Sequence, residues 1–197
     1  MNKKFLVEGI GTFGLALVVT LGLSGQFPVS VPLLAGLTLA LFVYSIGHIS
    51  GCHINPAVTL GLLSIKKIDA REALGYLISQ FIGAFLASFV AVQLGAKILP
   101  TANDSVAIAL AEAIGTAFFT FGIASVVFGR VEKAASGIVV GGSLVFGIAL
   151  SALAGAAGVL NPAVALSIHL FTPMYILGPV LGSLVGFNLY AWLEQRK

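Results

Sequence analysis

The chain has 197 residues, of which 58% are hydrophobic and 9% charged, whereas soluble domains carry about 25% charged residues; with a mean hydropathy of +1.09, this excludes a soluble globular domain. The net charge of +3 does not mark a nucleic-acid partner, because Lys3, Lys4, Lys66, Lys67, Arg71, Arg130, Lys133, Arg196 and Lys197 fall in the termini or in alternate connections, with only Lys97 on the other side, and the positive-inside rule makes both termini cytoplasmic. The lone Cys52 excludes an intramolecular disulfide.

A bilayer core of roughly 30 Å needs about 20 apolar residues per helix, so this length accommodates about six spans. The first apolar run, 5–24, is interrupted by Glu8 and ends at the turn-like Gly25-Gln26-Phe27-Pro28. Met1 to Lys4 followed by this run resembles the start of a signal peptide, but no small-residue cleavage site follows, so a first membrane helix is expected. The second span, 31–50, leads through Gly51-Cys52-His53-Ile54 to Asn55-Pro56-Ala57-Val58. The apolar stretch 56–65 then covers only roughly 15 Å at 1.5 Å per residue. Lys66, Lys67 and Arg71 follow directly, so the segment must re-enter and return to its side of origin.

The third span is 70–93, and the polar Pro100-Thr101-Ala102-Asn103-Asp104 leads to the fourth, 105–128. A basic connection, 129–133, precedes the fifth span, 135–154; Asn161-Pro162-Ala163-Val164 opens a second short segment to 170, and Thr172-Pro173 turns into the sixth span, 174–193. The expected architecture is a single all-α membrane domain over 1–197 with six spanning and two re-entrant half-helices. The halves, 1–99 and 100–197, match in detail. Glu8-Gly9-Ile10-Gly11-Thr12 corresponds to Glu112-Ala113-Ile114-Gly115-Thr116, and 76–83 echoes 175–182. Three spans separate equivalent positions, so the repeats are inverted, an arrangement common to channels and transporters.

Asn is a favoured N-cap and Pro fits the first helical position. Irregular backbone at membrane depth is tolerated where protein buries it or water lines it, a condition that loops 51–54 and 156–160 meet if they line a pore. Two half-helices meeting end to end would each present a positive dipole end of about half a charge, repelling cations. Each asparagine oxygen can cap its helix while the NH2 group points into the lumen as a donor. Loop backbone at Gly51, Cys52, His53, Ile54, Ala157, Gly158, Val159 and Leu160 would add acceptors.

Together with Glu8-Gly9-Ile10-Gly11-Thr12-Phe13, the run from Gly47-His48-Ile49-Ser50 through Thr59, and Gly178-Pro179-Val180-Leu181-Gly182, the paired Asn-Pro-Ala motifs resemble those of the aquaporin, or major intrinsic protein, family over essentially the whole chain. The resemblance implies a passive pore in each protomer of a homotetramer in the plasma (inner) membrane, conducting water and small neutral solutes, without a cofactor, bound metal or enzymatic activity. It gives Glu8 and Glu112 the role of bracing the pore loops; as intramembrane acids they could instead couple a secondary transporter to protons. It places His48 and His53 in the loop scaffold and Cys52 within reach of a blocking mercury ion. These three residues offer too few ligands, at an unconvincing spacing, for a metal site.

Most family members follow the second motif with arginine, where this chain has Val164. Local alignment carries the remaining outer-filter positions to Ala35, Ala154 and Gly158. A filter of small or apolar residues has no fixed charge and is expected to be wide, unless Phe42, Tyr44 or Phe146 narrows the path.

Overall fold

The structure, a computed structural model, describes residues 2–25, 27–97 and 104–195. Gln26 of the first turn, residues 100–103 of the polar connection, and Arg196 and Lys197 lie outside the described residues. The described residues form eight α-helices: α1 (Lys3–Ser24), α2 (Val31–Ser50), α3 (Pro56–Ser64), α4 (Ala70–Gln93), α5 (Val106–Val127), α6 (Ser136–Leu153), α7 (Pro162–Ser167) and α8 (Pro173–Glu194). A 3₁₀ turn at Lys133–Ala135 leads into α6. Six of these helices are long and apolar enough to cross a membrane, and α3 and α7, at 9 and 6 residues, are not.

Local chemistry explains the helix ends. Asn2, Asp69 and Ser105 cap α1, α4 and α5 with their side chains, accepting the otherwise unpaired first-turn N–H groups. Gly51 ends α2 at φ +89°, in a left-handed conformation that suits glycine. Asp104 reaches across to α8, accepting from the Thr172 hydroxyl at 2.6 Å and from Met174 N at 3.1 Å. The second short helix is shorter than the expected stretch to 170, because Ile168 caps it and His169 turns left-handed at φ +60°.

Helix pairing follows the repeat. α1 packs on α4 and α5 on α8, while α2 and α6, themselves repeat mates, cross each other. Small residues set these crossings, as they do where close backbone approach is the main source of attraction in a membrane. A Cβ added at Gly83 would strike the Gly9 carbonyl, one at its repeat mate Gly182 the Ala113 carbonyl, and one at Gly141 the Gly36 carbonyl. The half-helices fill the space enclosed, with α3 against α4 and α8, and α7 against α1 and α4. The outer surface is apolar, as at Leu37, Ile82, Phe85, Phe89, Ile138 and Leu153, as lipid contact demands. The chain is therefore an integral multi-pass membrane protein.

Both described chain ends lie on one face. There Lys4 Nζ pairs with Glu72 Oε1 at 2.6 Å, Arg130 pairs with Glu194, and Lys67 Nζ sits 4.4 Å from the Phe128 ring centre. This terminal face carries the basic connections. The opposite face carries Lys97 beyond α4, whose backbone carbonyl accepts from the Ser24 hydroxyl at 3.3 Å.

Candidate functional site: two crossed loops and two cavities

The centre is built by symmetry-related backbone strain. Cys52 and Ile54 have φ of +55° and +39°, and their counterparts Gly158 and Leu160 have φ of +68° and +54°. Alternating left-handed residues turn successive N–H groups to the same side, forming a concavity for an anion. Here the anion is a side chain. Glu8 accepts His53 N at 2.9 Å and Ile54 N at 2.7 Å, and Glu112 accepts Val159 N at 3.0 Å and Leu160 N at 2.7 Å. Gly11 and Gly115 supply the room, since a Cβ there would lie 2.6 Å from Ile54 Cγ2 and 3.0 Å from Leu160 Cδ2.

Each carboxylate takes further donors. Glu8 receives the Ser50 hydroxyl at 2.6 Å and the Gln80 amide at 2.9 Å, and Glu112 receives the Ser151 hydroxyl at 3.2 Å. Tyr76 donates its hydroxyl to the Ser50 carbonyl at 2.7 Å, and Ala157 N donates to the Tyr175 hydroxyl at 3.2 Å. Both glutamates are fully buried, and their ligands account for how acids survive at this depth.

The asparagines tie the loops together. Asn55 Oδ1 accepts Ala57 N at 2.8 Å, and Asn161 Oδ1 accepts Ala163 N at 3.0 Å and Val164 N at 3.3 Å. Their amides cross, with Asn55 Nδ2 donating to the Leu160 carbonyl at 2.9 Å and Asn161 Nδ2 to the Ile54 carbonyl at 3.0 Å. This corrects the expectation of wholly free NH2 groups. One hydrogen on each holds the opposite loop, leaving one for a solute, because an amide nitrogen carries two. The carbonyls of Ile54 and Leu160 are likewise engaged.

Two cavities flank this junction. One, of about 330 Å³, opens on the face opposite the termini, is bordered by Thr20, Ser24 and Lys97 near its mouth, and reaches both asparagines. The other, of about 390 Å³, opens on the terminal face beside Lys4, Lys67 and Glu72 and reaches Gly51, Cys52 and His53. Leu39, His53 and Phe119 border both cavities, and so mark where they meet. His53 is held by Thr59 Oγ1 at 3.2 Å from its Nδ1 and by the Tyr76 ring, 4.9 Å away in an edge-on contact.

Of the four expected outer-filter positions, Ala35, Gly158 and Val164 border the cavity opposite the termini. Ala154 does not. It is exposed and caps α6, which instead presents Leu144 and Ile148, one turn apart, to that cavity. The aromatic candidates also face elsewhere. Phe42 fills the notch at Gly14, Tyr44 donates to the Ala134 carbonyl at 2.7 Å, and Phe146 packs edge-on against Phe118 on the exterior. His48 is exposed on α2, outside the loop scaffold.

Sequence reasoning missed Gln80 and the Thr20–Ser167 hydroxyl pair, at 3.2 Å. A signal existed for Gln80, an amide in the apolar middle of α4 within the 76–83 echo, opposite Pro179 in the repeat. For Leu39 and Phe119 there was none beyond ordinary core hydrophobicity.

Six membrane helices enclosing two end-to-end half-helices, with a cavity from each face meeting beside them, constitute the framework of a transmembrane channel protein. The family model described as major intrinsic protein matches residues 3–190. The chain is 31% identical to aquaporin AqpM of Methanothermobacter thermautotrophicus, covering 100% of this chain and 99% of that protein. It is 33% identical to glycerol uptake facilitator protein-like 6 of Lactiplantibacillus plantarum, covering 93% and 94% of the two chains. In fold it is similar to the X-ray structure of the aquaglyceroporin from Plasmodium falciparum, with a TM-score of 0.76 at 23% identity over 98% of this chain and 95% of that one. The chain belongs to the major intrinsic protein family.

Proposed function

We propose that this protein is a passive channel for water and small uncharged solutes, glycerol-sized polyols among them, with the two asparagines as the central selecting groups. The observation that carries the reading is the crossed asparagine pair, which leaves one amide hydrogen on each Asn where the cavity ends. That cavity has room for roughly ten waters at about 30 Å³ each. Ala35, Gly158 and Val164 contribute no charge to it, and Leu144 and Ile148 replace Ala154 on its α6 wall. The pore then relies on apolar walls and its centre rather than on an arginine filter. The aquaporin and glycerol-facilitator relatives support a solute range that includes both molecules.

Swelling of proteoliposomes under water and glycerol gradients tests the proposal; folded protein impermeable to both would sink it. Val164→Arg would put a bulky cation beside the cavity and lower the glycerol-to-water permeability ratio by about tenfold, a gain of roughly 1.4 kcal/mol in discrimination against glycerol. An unchanged ratio would remove Val164 from the filter. The proton-coupled alternative is disfavoured by Glu8, whose oxygens already accept four donors. It predicts uptake driven by a pH gradient and lost in Glu8→Gln. By the positive-inside rule the terminal face is cytoplasmic, and the apolar exterior suits packing of four copies in the plasma (inner) membrane.

A further inference from the structure

We propose that the solute cutoff of this channel lies on the terminal side of the asparagines, where Phe119, Leu39 and His53 border both cavities, and that Phe119 is its specificity-determining residue. The inference deepens the channel reading and rests on it.

The inverted repeat exchanges the two cavities along much of the path. Val19, Val164 and Ile168 border the cavity opposite the termini, and their repeat mates Ile123, Val58 and Leu62 border the terminal one. The exchange fails at the residues that border both. The mate of Phe119, seven residues beyond its glutamate, is Leu15, and the mate of His53 is Val159. Both of these border only the cavity opposite the termini. With Ser50 and Ser151, the donors to the two glutamates, taken as equivalent, the mate of Leu39 is Val140, which borders only the terminal cavity. In each pair the bulkier side chain is the one that reaches both cavities.

Phenylalanine for leucine, histidine for valine and leucine for valine therefore narrow the path at one level, and that level is off the centre of the repeat. Both asparagines border the cavity opposite the termini and not the terminal one, so the narrowing lies on their terminal side. Its walls are fixed. Phe119 and Leu39 are each 2% exposed, and a Cβ added at Gly147 would lie 3.1 Å from the Phe119 Cβ. The His53 ring is held by Thr59 and Tyr76. Side chains packed this closely do not yield without displacing their neighbours. Ala35, Gly158 and Val164, farther out, offer no side chain of comparable bulk. A solute entering opposite the termini thus meets the amide donors first and the size limit second.

The test measures the permeability of xylitol, a five-carbon polyol, relative to that of water in proteoliposomes of the full-length chain. Phe119→Ala should raise this ratio at least about tenfold, the discrimination that one methylene commands in a close-fitting site. Phe119→Leu, which keeps more of the core filled, should raise it about threefold, and Leu39→Ala by a similar factor. Leu15→Ala trims the repeat mate of Phe119 in the wider part of the path, and should raise it less than about twofold. The glycerol-to-water ratio should rise less than the xylitol ratio in every case, because the smaller polyol already passes.

An unchanged xylitol ratio in both Phe119 variants overturns the proposal. Equal rises in Leu15→Ala and Phe119→Ala also overturn it, since they would mean a general loosening of the bundle. Where the alanine variant conducts neither water nor polyol, the leucine variant decides. Folded wild type and variants that all conduct nothing would refute the channel reading, and this inference with it.

Discussion

The two loops at the centre share a backbone but not a chemistry. Both place left-handed residues at matched positions, both wrap a glutamate, and both present an asparagine that holds the other loop. Around the first, polar groups continue outward from Glu8 through Gln80, whose amide also donates to Thr59 Oγ1 at 2.9 Å, and on to His53. Around the second, Val159 and Leu160 are packed apolar residues, and the repeat puts Pro179 where the first half has Gln80. What both halves keep is what an irregular backbone inside a membrane cannot lose, namely an acceptor for its turned N–H groups. What differs is how each brace is itself held.

The largest effects should come from the braces. Glu8→Ala strands four buried donors and Glu112→Ala three. At about 1–3 kcal/mol for each unsatisfied group, softened by water entry, we expect losses of about 5 and about 4 kcal/mol. Thermal denaturation in detergent would rank them, and an equal or reversed order would break the asymmetry. Gln80→Met introduced into wild type and into Glu8→Ala would sharpen it, because the amide should cost more to lose while the carboxylate is present, its bond to Thr59 being common to both backgrounds.

Next come the asparagines, where the order should invert. Asn161 Oδ1 caps two N–H groups and Asn55 Oδ1 one, while each amide makes one crossing bond. A cap and a buried hydrogen bond are each worth about 1 kcal/mol. Asn55→Ala should then cost about 2 kcal/mol and Asn161→Ala about 3 kcal/mol, again by denaturation midpoint. Equal values would mean that the longer Asn161–Val164 contact carries no weight.

Much of this was legible beforehand because the signals were local. α2 and α4 have the expected bounds, and the half-length of α3 followed from the charges at Lys66 and Lys67. The glutamate brace came from the family resemblance, with the repeat placing Glu8 and Glu112 at equivalent positions. Ala154 was misplaced because local alignment carries over a position along the chain, whereas the wall of a cavity is set by which face a helix turns inward. On α6 that face holds Leu144 and Ile148. The meeting of the cavities at Leu39, His53 and Phe119 depends on three separate elements, and no spacing along the chain encodes it.

The smallest effects isolate backbone from surroundings. Cys52 and Gly158 occupy equivalent left-handed positions, at φ +55° and +68°, so the strain of carrying a Cβ there is similar. Their neighbours are not. A Cβ on Gly158 would lie 2.7 Å from the Ile148 carbonyl oxygen, closer than such contacts allow, while the first loop already accommodates the Cβ of Cys52. Gly158→Ala should therefore cost about 2 kcal/mol through strain and displacement of α6. Cys52→Ala, which keeps the Cβ and removes only a buried thiol, should cost less than about 1 kcal/mol. Because Ile148 also walls the cavity, Gly158→Ala should alter the glycerol-to-water permeability ratio as well, and Cys52→Ala should change it less. If the two alanines prove equally costly, the difference between the loops lies in the backbone after all, and α6 plays no part in setting the second one.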